Sequence, residues 1–342
     1  MNRKVILSVI LILLIVGGIV SYNYYQKIFG KNVTKSGYLY IKSSDQINDV
    51  VQSLADFTKD QDDFLWVADQ KKFTNIKAGK YQLTEGMSNN DLVNLLRSGQ
   101  QSPIKISFNN QDTLEKLAGR IAIQIEADST EVLDAIQDSL FLKKNHLTNA
   151  SVLGIFIPNS YEFYWNTSGK KFRDRMLQES NRFWNNERLA KAKALDMSSS
   201  EVITLASIVQ KETAQASERP TVAGLYINRI KRGIPLQADP TIVYILKQKN
   251  GQDFVVKRVL YKDLEIKSPY NTYQNRGLPP SLIAMPDISS IDAVLNYQKH
   301  NYLYMCASVD TIGFHAFAKT LKQHNRNADK YQRWLNKQEV TR

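Results

Sequence analysis

The strongest constraint on this chain lies at its start. Val5 to Val20 (VILSVILILLIVGGIV) is apolar throughout apart from Ser8 and two glycines. Arg3 and Lys4 precede the run, and Tyr22, Tyr24, Tyr25 and Lys27 follow it. Counted to Tyr25, the segment supplies about 20 residues, the length a helix needs to cross a bilayer. A basic flank stays in the cytoplasm and tyrosines favour the far interface. A cleaved signal peptide is the rival reading, but Ile19, Val20, Ser21 and Tyr22 offer no small-x-small cleavage site. The expectation is a cytoplasmic tail over residues 1–4, a single transmembrane anchor over 5–25, and a chain outside the cytoplasm beyond residue 27.

A second feature sets the chemistry. Ser198 followed by Glu201 has the spacing of a capping box and predicts a helix starting at about Ser199. At ~100° per residue, Val202, Leu205, Ala206, Ile208 and Val209 share one face. Glu212 projects within that arc, whereas Thr204, Ser207 and Lys211 are expected to point the other way. A carboxylate held against apolar neighbours loses hydration and its pKa rises. Such a group can keep its proton near neutral pH and donate it as a general acid. The plainer alternative is a surface glutamate or a salt bridge, with Arg219 and Arg229 as partners.

Beyond the anchor lie about 310 residues, enough for two domains. The first, 36–107, reads as a small α+β unit. It has a strand in GYLYIKS, helices over Ile47–Phe57 and Asp60–Lys71, and a strand over Ile76–Leu83. A helix (DLVNLLRSG) follows, capped near Ser88 and ended by Gly99, and then a strand over Ile104–Phe108. The second domain, 108–338 with its core at 198–325, is mixed helical and β. Residues Asp112 to Ala194 read as mainly helical, broken where Pro158 and Asn159 turn the chain between aromatic runs. Those aromatics either stack on sugars or form core. Ser217 is expected to cap another helix that Gly233 ends. Gln237 and Asp239 fall in the next turn, with Asp239 before Pro240 either as an N-cap or as a ligand group. YLYMCAS reads as a strand, with Cys306 a small buried residue, and a basic helix closes the chain.

Several chemistries are excluded. Four histidines and one cysteine show no zinc spacing, so no metal is expected, and no phosphate-binding glycine loop points to a nucleotide cofactor. The net charge is +12. No nucleic-acid-binding motif accompanies it, so on an exported domain the charge better suits anionic headgroups or an acidic polymer such as peptidoglycan.

ASIVQKET, the Glu218–Arg219 pair, VAGLYINRIKRGIPLQADPT, NTYQNRGLPPSLIAMP, YLYMCAS and GFHAFAKTLKQHN stand together in one order behind an anchor. In this the chain resembles the MltG (YceG-like) family of endolytic murein transglycosylases. The likeness runs from about Gly37 to the C-terminus and is strongest from Leu205 to Asn325. It implies a membrane-anchored enzyme with no cofactor that cuts peptidoglycan glycan strands, works beside peptidoglycan synthases and terminates strand elongation. It also implies that the small domain is LysM-like and glycan-binding. The family's catalytic glutamate falls on Glu212, the second acidic position of an E-K-E-T motif whose first position is Gln210 here. Leu153 and Asn159 stand where the family often has acids. Tyr226, Asn228, Arg229, Gln237, Asp239 and Tyr273 are the polar groups expected around the sugars. The alternatives are a hydrolytic muramidase in which Asp239 positions water, and a non-catalytic glycan-binding scaffold. Alkaline extraction of membranes is expected to leave the full-length chain in the pellet; its release would contradict an integral anchor.

Overall fold

A computed structural model describes residues 3–337. Met1 and Asn2 of the expected cytoplasmic tail, and Gln338 at the expected end of the second domain, lie outside the described residues. The elements run α1 (Arg3–Phe29), β1 (Gly37–Ile41), α2 (Ile47–Leu54), α3 (Gln61–Gln70), β2 (Gly79–Leu83), α4 (Asn89–Ser98) and β3 (Ile104–Phe108). There follow α5 (Leu114–Ala122), α6 (Ser129–Gln137), α7 (Ser139–Lys144), β4 (Asn159–Phe163), α8 (Gly169–Phe183) and α9 (Asn186–Ala194). The last are α10 (Ser199–Glu212), α11 (Arg219–Lys231), α12 (Asp239–Asn250), α13 (Ile288–Leu295), β5 (Tyr304–Ala307), β6 (His315–Ala318) and α14 (Leu321–Lys337). Among the described residues the strands pair only as β1–β2, β3–β4 and β5–β6, so helices carry most of this α+β fold.

Helix α1 has no buried residue, and it is long and apolar enough to cross a membrane. Its apolar side chains are exposed over the Val5–Val20 stretch, and a bilayer would cover them.

The chain divides into two compact units. The first runs up to Ile106 and takes in Ala122–Asp128 and Tyr161–Ser168. In β1 the alternation places Leu39 and Ile41 inward and Tyr38 and Tyr40 outward. Leu39 faces Tyr81, and Ile41 faces Gly79, across an antiparallel ladder. Val50 and Leu54 of α2, Phe64 and Val67 of α3, and Leu92 and Leu96 of α4 bury against this hairpin in one core. Asn32 ties the helix starts together. Its amide donates to Asn89 Oδ1 at 2.6 Å and to the Asp60 carbonyl at 2.7 Å, while its own oxygen accepts from Asp60 N–H at 2.9 Å. The second strand starts at Gly79 rather than Ile76. Gly79 carries φ +149°, so the residues before it do not continue the ladder geometry.

The second unit comprises Ser107–Ile121, Ser129–Ser160 and the chain from Gly169 on. Helix α10 runs through its middle, packed by α9, α11, α12 and α13. The capping box is present: Ser198 Oγ accepts from Glu201 N–H at 3.2 Å, and Glu201 accepts from Ser198 N–H at 2.8 Å. The expected polar face of α10 is corrected, because every residue from Val202 to Val209 is buried. Thr204 and Ser207 go inside with their hydroxyls satisfied. Thr204 donates to the Ser200 carbonyl and Ser207 to that of Thr204, and Ser207 also accepts from Ile283 N–H. Over Val202–Val209 the helix is covered on all sides, and short hydroxyl side chains can bond their own backbone; Lys211, beyond that stretch, is exposed as expected.

Other details also depart from the sequence reading. Ser217 lies in a short 3-10 turn, Ala216–Glu218, and α11 starts at Arg219 with Pro220 in its first turn, where the missing N–H is not needed. Asp239 is the first residue of α12 and makes no cap bond; Ala238 holds the cap position. Asn159 opens strand β4 instead of a turn, after a 3-10 stretch at Val152–Ile155. Cys306 is half-buried in β5, a strand of a two-stranded sheet whose residues are all only partly covered. Phe156 is core, stacked on Phe172 at 5.9 Å.

Helix α11 ends as expected. Gly233 adopts φ +63°, and Ile234 N–H reaches back to the Arg229 carbonyl at 2.9 Å. Gly224 in the same helix serves close packing: a methyl there would land on the Gln298 carbonyl and the His300 ring. Replacing Gly224 by Ala is expected to destabilise the chain by about 1–3 kcal/mol, the usual cost of overpacking, as measured by urea unfolding.

Candidate active site

Helix α10 delivers Glu212 at its last turn, half-buried, with Thr213 beyond it in extended backbone. Tyr226, one side chain of α11 and almost wholly buried, donates its hydroxyl to Glu212 Oε2 at 2.9 Å. Burial raises the pKa of Glu212; the Tyr226 hydrogen bond and the neighbouring His315 and Arg229 act the other way, while Asp239 reinforces the rise. Burial likewise lifts the Tyr226 phenol well above its ordinary value, and the Glu212 charge adds to that. Tyr226 therefore remains a hydrogen-bond donor throughout the physiological range.

Two cavities share Glu212. One, of about 310 Å³, is lined by Asp112, Lys211, Asp239, Tyr244 and Lys247 among others. The second, of about 330 Å³, is lined by Thr213, Phe314, His315, Tyr331 and Trp334 among others. Both fall at the small end of the range for ligand sites.

Three carboxylates, Asp112, Glu212 and Asp239, border the first cavity. Burial opposes ionisation of Asp112, but its hydrogen bond from Lys211 at 2.6 Å and that ammonium's charge outweigh it, and the pKa is lowered. Asp239 is exposed and accepts from the Tyr273 hydroxyl at 2.5 Å. Burial, then that bond to Asp239, raises the Tyr273 phenol. Only Glu212 combines burial with a raised pKa, the pattern of a carboxyl able to hold and return a proton.

The polar residues expected around the sugars separate into two groups. Tyr226, Asp239 and Tyr273 gather with Glu212. Asn228 and Arg229 go to the scaffold instead. Asn228 donates to the carbonyls of His300 at 2.8 Å and Tyr302 at 3.1 Å. The Arg229 guanidinium, buried, donates to the carbonyls of Leu303, Pro235 and Leu236 and to Gln237 Oε1. Arg229 thereby holds the loop that leads to Asp239. Gln237 sits in that loop at φ +52°, a strained conformation for a residue with a side chain. Thr272, whose carbonyl accepts from Gln237 N–H at 2.9 Å, helps hold it there. Arg219, the other expected partner of Glu212, bonds Asp287 at 3.1 Å and Ser289 at 2.6 Å. Gln210 is turned away from the site: its carbonyl oxygen accepts from Asp287 N–H and the Ser290 hydroxyl, fastening the start of α13.

The sequence reading missed Asp112, Tyr244, Lys247, His315, Tyr331 and Trp334 as site residues. One signal was available, since Pro240, Val243, Tyr244 and Lys247 follow the i, i+3, i+4, i+7 spacing of a single helix face. Among the described residues no group of three or more His, Cys, Asp or Glu is placed to hold a metal ion.

Comparison with known proteins places these features in a class. The profile of the YceG-like family matches residues 39–330. The chain belongs to the YceG-like family. An endolytic murein transglycosylase of Bacillus subtilis (strain 168) is 32% identical over 292 residues, covering 81% of this chain and 79% of that protein. One of Streptococcus pneumoniae serotype 2 is 29% identical over 291 residues, 77% of this chain but 52% of that longer protein. The 2.6 Å crystal structure of a YceG-like protein from Listeria monocytogenes matches with a TM-score of 0.56 at 29% identity, over 85% of this chain and 98% of that one.

The raised pKa of Glu212 has a consequence for stability. A carboxyl whose folded pKa lies above its unfolded value contributes stability that is fully present below the unfolded value and is lost as pH rises through the folded one. Glu212→Gln keeps an acceptor for Tyr226 without the charge. The variant is expected to melt with wild type at acidic pH and increasingly above it as pH rises, as read from thermal unfolding across a pH series.

Proposed function

We propose that this chain is an endolytic murein transglycosylase with Glu212 as its single proton-transfer group. The observation that carries the reading is one half-buried carboxyl of raised pKa, held by a buried tyrosine and bordering two cavities. A glycan strand crossing Glu212 presents its N-acetylmuramic acid to N-acetylglucosamine linkage to that carboxyl. Protonated Glu212 gives its proton to the glycosidic oxygen as the bond to the anomeric carbon breaks, and positive charge develops there. The carboxylate then removes the proton from the muramic acid's own primary hydroxyl, whose oxygen bonds to the anomeric carbon. The products are a free N-acetylglucosamine end and an anhydro-muramic end. The proton is returned and no water is consumed. The nucleophile is carried within the substrate, so its reaction is intramolecular and one carboxyl is enough. The Tyr226 hydroxyl steadies the ionised form between the two transfers and keeps the carboxyl oriented.

The membrane orientation follows from the basic Arg3–Lys4 flank, with the second unit outside the cytoplasm. There it meets nascent strands beside membrane-bound synthases and ends their elongation. The first unit, with its two-stranded sheet and packed helices, is read as LysM-like and glycan-binding.

A second reading has one observation in its favour. Asp239, bonded by Tyr273, lines the first cavity together with Glu212, which supports a reading in which its carboxylate directs a water in a hydrolytic muramidase. Mass spectrometry of glycan digested by the purified full-length chain separates the two. Products lighter by one water than reducing-end fragments are expected from the transglycosylase; reducing ends would support the hydrolase. Glu212→Gln is expected to lower cleavage by about 10²–10⁴-fold, the contribution of general acid–base catalysis. Unaltered cleavage by that variant would remove Glu212 from the role.

A further inference from the structure

The second cavity at Glu212 has features that the proton transfer does not use. Tyr331 and Trp334 lie on successive turns of α14, with ring centroids 6.0 Å apart and planes 19° from parallel. Both line the cavity, and both are only half-buried, so the core does not take up their faces completely. Ile312 and Phe314 add further apolar wall. One polar group is held in place among them. His315, in β6, binds Glu218 through its backbone N–H at 2.7 Å and through Nδ1 at 2.8 Å. Glu218 is buried, and as a carboxylate it can only accept, so the Nδ1 proton belongs to the histidine. The imidazole is thereby oriented as second-sphere carboxylates orient histidines elsewhere, with Nε2 left for another partner.

A pyranose ring carries hydroxyls at its rim and C–H bonds on its faces. An aromatic ring covers such a face well, and a nearby polar group then bonds the rim. We propose that the cavity between Glu212 and α14 is a sugar subsite: Trp334, backed by Tyr331, is the platform for one N-acetylhexosamine next to the scissile bond, and His315 is its polar anchor. Helix α14 is then part of the binding site and not only the closing helix of the fold. Lys247 and the Lys211–Asp112 pair make the first cavity charged, so the two cavities that share Glu212 differ in chemistry. This assignment rests on the glycan-cleaving reading, and its test is separable from it.

Full-length chain carrying Glu212→Gln, which is not expected to cut, is titrated with a peptide-free strand of alternating N-acetylglucosamine and N-acetylmuramic acid. Binding is followed by calorimetry and by tryptophan fluorescence. Trp334 is one of four tryptophans, so a stacked sugar should change part of the emission. Adding Trp334→Phe is expected to abolish that change while holding affinity within about threefold, since a flat ring is kept. Adding Trp334→Ala or His315→Ala is expected to weaken binding tenfold or more, with the unfolding transition retained. Undiminished binding in Trp334→Ala, a fluorescence change that persists in Trp334→Phe, or no strand binding at all would overturn the subsite. Failure of the glycan-cleaving reading is seen elsewhere, as absent cleavage by the wild-type chain.

Discussion

The site depends on one costly placement: a carboxyl at the end of an apolar helix, with a phenol as its direct hydrogen-bond partner. Burial works against the charged form of Glu212, and the Tyr226 hydroxyl works for it. The balance leaves an acid that holds a proton more firmly than a surface glutamate. A lysine or arginine in direct contact would have removed that property by fixing the charge. The guanidinium expected to do so, Arg219, is bonded to Asp287 and Ser289, and Arg229 is occupied by backbone carbonyls. The framework thus keeps cations out of hydrogen-bond contact with the acid while still using them elsewhere.

Rigidity around the acid comes from the same helix. Because α10 is enclosed by α9, α11, α12 and α13, its last turn is carried by packing rather than by loops. Gln210, two residues before Glu212, projects from another side and anchors the start of α13. Arg229 performs a similar task for the segment that leads into α12, where Asp239 emerges. The groups with chemistry at the cavities therefore sit on elements held by polar side-chain bonds from Gln210 and Arg229.

Much of the local structure was legible. The Ser198–Glu201 box, the Ser88 cap, Gly99 and Gly233 marked helix ends, because capping is decided by a few neighbouring residues. Strand β3 and the β1 strand were readable from alternation. The errors arose where a distant segment decided the outcome. Thr204 and Ser207 looked solvent-facing, but both are buried, and Ile283, 76 positions on from Ser207, bonds the Ser207 hydroxyl through its N–H. Of the two roles left open for Asp239 before Pro240, the cap is not taken, because the chain turns one residue earlier, and Tyr273 bonds the carboxylate. Asn228 and Arg229, expected around the sugars, bond carbonyls as far along the chain as Leu303, which spacing does not reveal.

By itself the sequence determined the apolar anchor, the helix boundaries and the placing of a lone glutamate on an apolar arc, because these rest on hydropathy, spacing and neighbours a few residues apart. Only the tertiary structure decided which side chains meet Glu212. Tyr226 bonds it from α11, while His315 of β6 and Trp334 of α14 line a cavity with it, and no local rule encodes which tyrosine, histidine or tryptophan a fold will bring to one carboxyl. Its raised proton affinity belongs to that second category too, since desolvation is a property of the packed surroundings and not of the residue.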